Sequence, residues 1–228
     1  MPHGQSSLLN KIFAVFAKDI KSEFRTRYAI NAIVMFAVVT VIAISFSTGG
    51  MPLDIDLQAI ILWLAIYFGS VTALSQSFIK EEQNRTALAL RIYGSPGAIY
   101  GGKYLFNLIL LAFLVIIIVL LFAGLVGLEI HSYGLFALIM FLSILGFAGS
   151  TTIIAAIISK ASIKGVLFAV LSFPLILPLL VMAIKGTQKA LNAQVVFLDG
   201  LPEIKVLVSY AVVMTVAGAL LFEYVWND

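Results

Sequence analysis

Six long apolar stretches, 29–47, 57–79, 104–128, 133–159, 165–184 and 206–222, contain none of the chain's 14 Lys and Arg or 11 Asp and Glu residues. An α-helix rises about 1.5 Å per residue and a bilayer's hydrocarbon core is about 30 Å thick, so about 20 such residues cross it. Lipid offers no hydrogen bonds, which leaves helices and closed barrels as the only spanning structures. Barrel strands would be about 10 residues long and alternate in polarity. The pattern therefore specifies an all-α polytopic membrane protein with six transmembrane helices. A 228-residue chain that is 62% hydrophobic and 11% charged has too little polar surface to cover a soluble globule. A soluble protein, a disordered chain and a nucleic-acid binder are excluded, despite a pI of about 9.1. With no cysteine, so are a disulfide scaffold and thiolate chemistry.

The basic residues instead report topology, because cytoplasmic connections collect Lys and Arg. The N-terminal tail holds Lys11, Lys18, Lys21, Arg25 and Arg27; the second connection holds Lys80, Arg85, Arg91 and Lys103; the fourth holds Lys160 and Lys164. The first and third connections hold none, and the fifth holds Lys185, Lys189 and Lys205. Both termini are expected in the cytoplasm. The chain divides into an N-terminal segment, 1–28, and a six-span membrane domain, 29–228.

The N-terminal segment reads as an amphipathic helix lying in the membrane interface. At about 100° per residue, Leu9, Ile12, Phe13, Phe16, Ile20 and Phe24 share one face, and Lys11, Lys18, Lys21 and Arg25 the opposite one. Aromatics suit the acyl boundary and cations the anionic headgroups. Glu23 falls on the apolar side. Arg27, one turn later, is placed to pair with it at headgroup level; the other reading is a buried contact that locks the helix to a second cytoplasmic element.

The second connection, KEEQNRTALALRIYGSPGAIYGGK over 80–103, exceeds what a tether requires. Ala87, Leu88, Leu90 and Ile92, set among Glu81, Glu82, Arg85 and Arg91, give it a short helix of its own. Gly94-Ser95-Pro96-Gly97 then turns the chain. Such a loop is suited to docking. Gly97 to Lys103 also fits the G-x-x-x-x-G-K spacing of a phosphate-binding loop, but Tyr104 stands where a magnesium-binding Ser or Thr is needed, and no strand precedes it. Lys103 is expected to snorkel at the mouth of the third span.

Within the spans, Gly146-Phe147-Ala148-Gly149-Ser150-Thr151-Thr152 marks a close helix-packing seam. Pro174 and Pro178, one turn apart, are expected to kink or break the fifth span and to serve as a hinge. The polar stretch between Lys185 and Lys205 is expected to lie as a small helix on the outer surface, beside His131, a candidate haem contact.

The loop, the N-terminal helix and the six spans together resemble the membrane subunit of a type-2 ABC exporter. Glu81, Glu82, Thr86, Leu88, Leu90, Ser95, Pro96 and Lys103 match that family's coupling-helix pattern, and Lys18-Asp19, Glu23 and Arg25 its N-terminal helix. More closely, with the run Phe173-Pro174-Leu175-Ile176-Leu177-Pro178-Leu179-Leu180, the chain is similar to the haem exporter protein B (CcmB) family. The resemblance implies a non-catalytic permease subunit in the inner membrane. Its cytoplasmic coupling helix would dock an ABC ATPase subunit through Glu82, Arg85, Leu88, Leu90 and Arg91, with Ser95 and Pro96 shaping the turn. ATP would bind on that partner. The chain itself would hold no metal or cofactor, and haem would be cargo. Further implied partners are other cytochrome c maturation membrane subunits, a haem chaperone and a second copy of the chain. The alternatives are an exporter permease for another lipophilic cargo, a membrane scaffold, and a secondary transporter, which usually needs ionisable groups within its spans.

Overall fold

The computed structural model describes residues 8–49, 51, 53–74, 94–159 and 164–227, and all regular structure among them is helical. Helix α1 is Leu8–Thr26, α2 Tyr28–Ser47, α3 Ile55–Leu74, α4 Pro96–Leu125, α5 Tyr133–Ile158, α6 Lys164–Leu191 and α7 Leu201–Asn227, with a 3-10 turn at Phe197–Gly200 before α7. Helices α2 to α7 are each long and apolar enough to cross a membrane. Among spans, lipid removes the hydrophobic drive for association, so contact is won by close packing and by interhelical hydrogen bonds. Helix α5 occupies the centre: 78% of its apolar window is buried, against 22% for α2 and 17% for α7. It packs against α4, α6 and α7, while α3 bridges α2, α4 and α6.

The seam at Gly146–Thr152 is where α5 meets its neighbours. A Cβ on Gly146 would meet Leu179 and Tyr210, and one on Gly149 would come within 3.2 Å of the α7 backbone at Met214 and Thr215. Hydroxyls stitch the same contact. Ser150 Oγ lies 2.8 Å from Tyr210 Oη, and Asn107 of α4 donates to Thr152 Oγ1 at 2.9 Å. On the other flank of α6, Trp63 donates to Thr187 at 2.8 Å and Tyr67 pairs with Ser172 at 3.1 Å.

Helix ends differ from the apolar runs at several points. Helix α4 starts at Pro96 rather than residue 104, α6 ends at Leu191 rather than 184, and α7 starts at Leu201 rather than 206 and continues to Asn227 rather than stopping at 222. An apolar-run reading stops at the first charge, whereas a helix continues through a charge that is paired or exposed. Lys103 is paired by Asp19 and Lys189 by Glu203. The surface helix expected between Lys185 and Lys205 is therefore replaced by the ends of α6 and α7, with only the 3-10 turn between them. Helix α6 also runs without a break through Pro174 and Pro178, both of which face outward. Proline withholds an N–H from the preceding turn; between the two, Leu175 O accepts the Tyr210 hydroxyl at 2.8 Å. Residues 75–79, the expected end of the second span, lie outside the described residues.

Candidate functional site

The first turns of α4 form a junction on which three other helices close. Ser95 takes an extended conformation as the N-cap, its carbonyl accepts from Ala98 and Ile99, and Pro96 fills the first helical position. Proline suits that position because its missing N–H has no intrahelical role there. The Ser-Pro-Gly sequence thus begins a helix rather than forming a free-standing turn.

Gly101, Gly102 and Lys103 form the surface that α1 covers. A Cβ on Gly102 would fall 2.6 Å from Val15 and 3.0 Å from Ile12 O, and one on Gly101 would fall 3.1 Å from the Ile12 side chain. The two glycines let the helices approach almost backbone to backbone. One residue later, Lys103 Nζ lies 3.0 Å from Asp19 Oδ2, and Lys18 brackets the same carboxylate at 3.2 Å. Lys103 is only 2% exposed. The snorkelling expected of it is therefore corrected: the ammonium points at a buried acid on α1, not at the headgroups. The resemblance to a phosphate-binding loop has the same resolution, since Gly-Gly-Lys here is a helix-packing surface followed by a cation for the partner helix.

Helix α1 accordingly has three faces, not two. Val15, Asp19 and Glu23, at i, i+4 and i+8, are buried against the bundle. Leu9, Phe13 and Phe24 are exposed on the apolar side, and Lys18, Lys21 and Arg25 are exposed on the polar side. Ile12, Phe16 and Ile20 sit partly buried between. The acids mark the inward face, a signal present in the sequence as Asp19 and Glu23 one turn apart.

Glu23 joins α1 to α2. It is 4% exposed, and its Oε1 accepts from the backbone N–H of Ala29 at 2.6 Å and of Ile30 at 3.0 Å. Those donors belong to the first turn of α2, where free N–H groups and the helix dipole favour an anion. Arg27, between the helices, is exposed and left-handed at φ 52°, and no side chain of its own caps α2. Glu23 and Arg27 thus sit at the α1–α2 joint, with Glu23 bonded to the helix backbone.

On its other side, α4 meets α7 and α5 through tyrosines. Tyr100 donates to Thr215 O at 3.4 Å, and a Cβ on Gly218 would collide with its hydroxyl. Its ring stacks on Tyr104 at 6.2 Å and packs on Phe222, which stacks on Trp226. Tyr104 reaches Leu145 O of α5.

The other residues singled out in the sequence are dispersed. Glu82, Arg85, Leu88, Leu90 and Arg91 lie outside the described residues, in the segment that leads into Gly94. Pro174 and Pro178 are on the outer side of α6. His131 is at the opposite end of the bundle, where its Nδ1–H donates to Leu191 O at 2.8 Å while its own N–H and that of Ser132 bond Ala190 O. It thereby caps α6 and ties the α4–α5 connection to it. Among the described residues no His, Asp and Glu cluster suited to a metal ion occurs.

A protein-family model described as CcmB protein matches residues 10–222. The chain belongs to the CcmB family. The match covers most of α1 and α7 and the whole of α2 to α6, so the α1–α4 junction falls within it. No curated protein matches the sequence. Family membership and the six apolar helices agree in making this a multi-pass membrane protein of the haem-exporter permease type.

Proposed function

We propose that the chain is the membrane permease subunit of an ABC-type complex acting in haem delivery for cytochrome c biogenesis, and that it carries the work of a separate ATPase subunit into the bilayer. The supporting observation is the buried Lys103–Asp19 pair, which ties the start of the helix that follows the 80–93 loop to the basic N-terminal helix. In this reading the α1 end of the bundle is cytoplasmic, as the Lys and Arg distribution favours. Helix α1 lies in the interface of the inner membrane, with Phe13 and Phe24 toward lipid. The ATPase docks on Glu82, Arg85, Leu88, Leu90 and Arg91. Its closure pushes the loop, and Ser95 and Pro96 pass the push into α4. Because Gly101, Gly102 and Lys103 hold α1, and Glu23 of α1 holds α2, the three helices move as one body. Pro174 and Pro178 give α6 the hinge across which α5 and α7 respond. Other maturation membrane subunits, a haem chaperone and a second copy complete the assembly.

The test is affinity purification of the tagged protein from its native membrane, with mass spectrometry of what accompanies it. A soluble ATPase together with haem-handling membrane subunits is expected, and Leu88→Asp is expected to lose the ATPase without loss of expression. An ATPase alone would leave a permease for another cargo. Normal ATPase recovery with Leu88→Asp, or none with the wild type in a gentle detergent, would overturn the docking reading.

A further inference from the structure

At the end of the bundle opposite α1, three hydrogen bonds clamp the connection between α4 and α5 to the end of α6. The N–H groups of His131 and Ser132 donate to Ala190 O at 3.2 and 2.9 Å, and His131 Nδ1 lies 2.8 Å from Leu191 O. A carbonyl oxygen only accepts, so Nδ1 carries the proton. In the neutral imidazole the lone pair is then on Nε2. The residue is exposed, and no hydrogen bond engages Nε2 among the described residues.

Metal-ligating histidines are arranged in this way. A backbone carbonyl on one ring nitrogen fixes the tautomer and the direction of the ring, and makes the other nitrogen a better donor. Here the carbonyl belongs to the last turn of α6, the negative end of its dipole, which adds to the effect. What such a nitrogen can hold depends on its neighbours. A bare divalent ion needs several protein ligands, and no group of three or more His, Asp and Glu residues fit for one occurs among the described residues. Iron in a porphyrin needs less, because the macrocycle fills the equatorial positions and one axial histidine can hold the metal.

The surroundings suit a flat apolar molecule. Tyr133, two residues on, is exposed at the start of α5, and Val196 and Leu198 are exposed at the 3-10 turn before α7. The two elements meet, since a Cβ on Gly134 would lie 3.8 Å from the Phe197 ring. We infer that His131 is an axial ligand for the iron of a porphyrin, with Nε2 on the metal and the macrocycle in the apolar surface that Tyr133, Val196 and Leu198 provide. This deepens the haem reading, on which it rests for the source of the porphyrin, by naming the chain's own contact with that cargo.

The full-length protein, purified in detergent, is titrated with haemin and reduced, and the iron–histidine stretching band is read by resonance Raman. The wild type is expected to show the band. His131→Asn keeps a side-chain N–H for Leu191 O but has no second ring nitrogen, so the band should be lost while the melting temperature holds. Leu198→Ser, on an exposed side chain, should keep the band and weaken haemin binding about tenfold, the worth of one buried leucine. Haemin taken up without the band is partition into detergent alone and overturns the inference. So does a band that survives in His131→Asn, which would assign it to His3, the chain's other histidine, and so does an affinity unmoved by Leu198→Ser. Recovery of the ATPase with the wild type and with His131→Asn is measured beside these and is expected to be equal. Failure of the ligand assignment with the ATPase still recovered therefore leaves the permease reading standing.

Discussion

Lys103 Nζ on α4 and Asp19 Oδ2 on α1 are 3.0 Å apart, and neither side chain is more than 6% exposed. A buried pair of this kind adds little net stability over an apolar pair, because desolvation offsets the attraction, but removing one partner strands a charge. Lys103→Met leaves Asp19 with only the exposed Lys18 at 3.2 Å, so it is expected to destabilise the protein by up to about 3 kcal/mol, seen as an apparent melting temperature in detergent lower by on the order of 5–10 °C. Asp19→Asn combined with Lys103→Met should recover most of that loss. A double variant as unstable as the sum of its singles would show that the two side chains do not act together.

Gly102 is expected to tolerate no side chain. A leucine there meets Val15 and the Ile12 carbonyl, and since backbone cannot yield, α1 must lift from α4. Overpacking of this order costs about 1–3 kcal/mol. Hydrogen exchange should report it locally, with protection lost along α1 and retained in α5. Unchanged protection of α1 in Gly102→Leu would mean that the helix is held elsewhere.

What was legible in the sequence follows from what each signal measures. Span number is a matter of apolar length, and each of the six runs contains a long helix among the described residues. Helix ends are set by pairing, which spans distant parts of the chain, so Lys103 reads as a boundary until Asp19 is placed beside it. The wheel of α1 shows the same limit. Phe13 and Phe24 do share an apolar face, yet the side that packs on protein carries Val15, Asp19 and Glu23. A single amphipathic axis cannot express lipid, solvent and protein as three environments. Glu23, which breaks the two-sided pattern, is the residue that carries the information.

Glu23 sits at the α2 N-terminus as a cap supplied by the preceding helix. Glu23→Gln keeps the shape and one acceptor but gives up the charge that opposes the helix dipole. The expected cost is about 0.5–2 kcal/mol. Glu23→Ala should cost more, because the Ala29 and Ile30 donors are then left without their acceptor. Equal stability of the Gln and Ala variants would remove the cap from the account of why α1 and α2 are joined at Arg27.

The α5–α7 seam yields a contrast between two glycines of the same fold. A Cβ on Gly149 falls 3.2 Å from the α7 backbone, whereas one on Gly124 of α4 has nothing within 4 Å. In an open position, alanine in place of glycine spares backbone entropy and favours the helix by about 1 kcal/mol, so Gly124→Ala should hold or raise the melting temperature. Gly149→Leu must push α7 away from the most enclosed helix in the bundle, and with it the Ser150–Tyr210 and Tyr210–Leu175 bonds. A loss of several degrees is expected, at the upper end of the roughly 1–3 kcal/mol for overpacking. Measured side by side, the two variants separate a general effect of losing glycine in a span from the specific need for close approach at this contact; equal melting temperatures would place the seam elsewhere on α5.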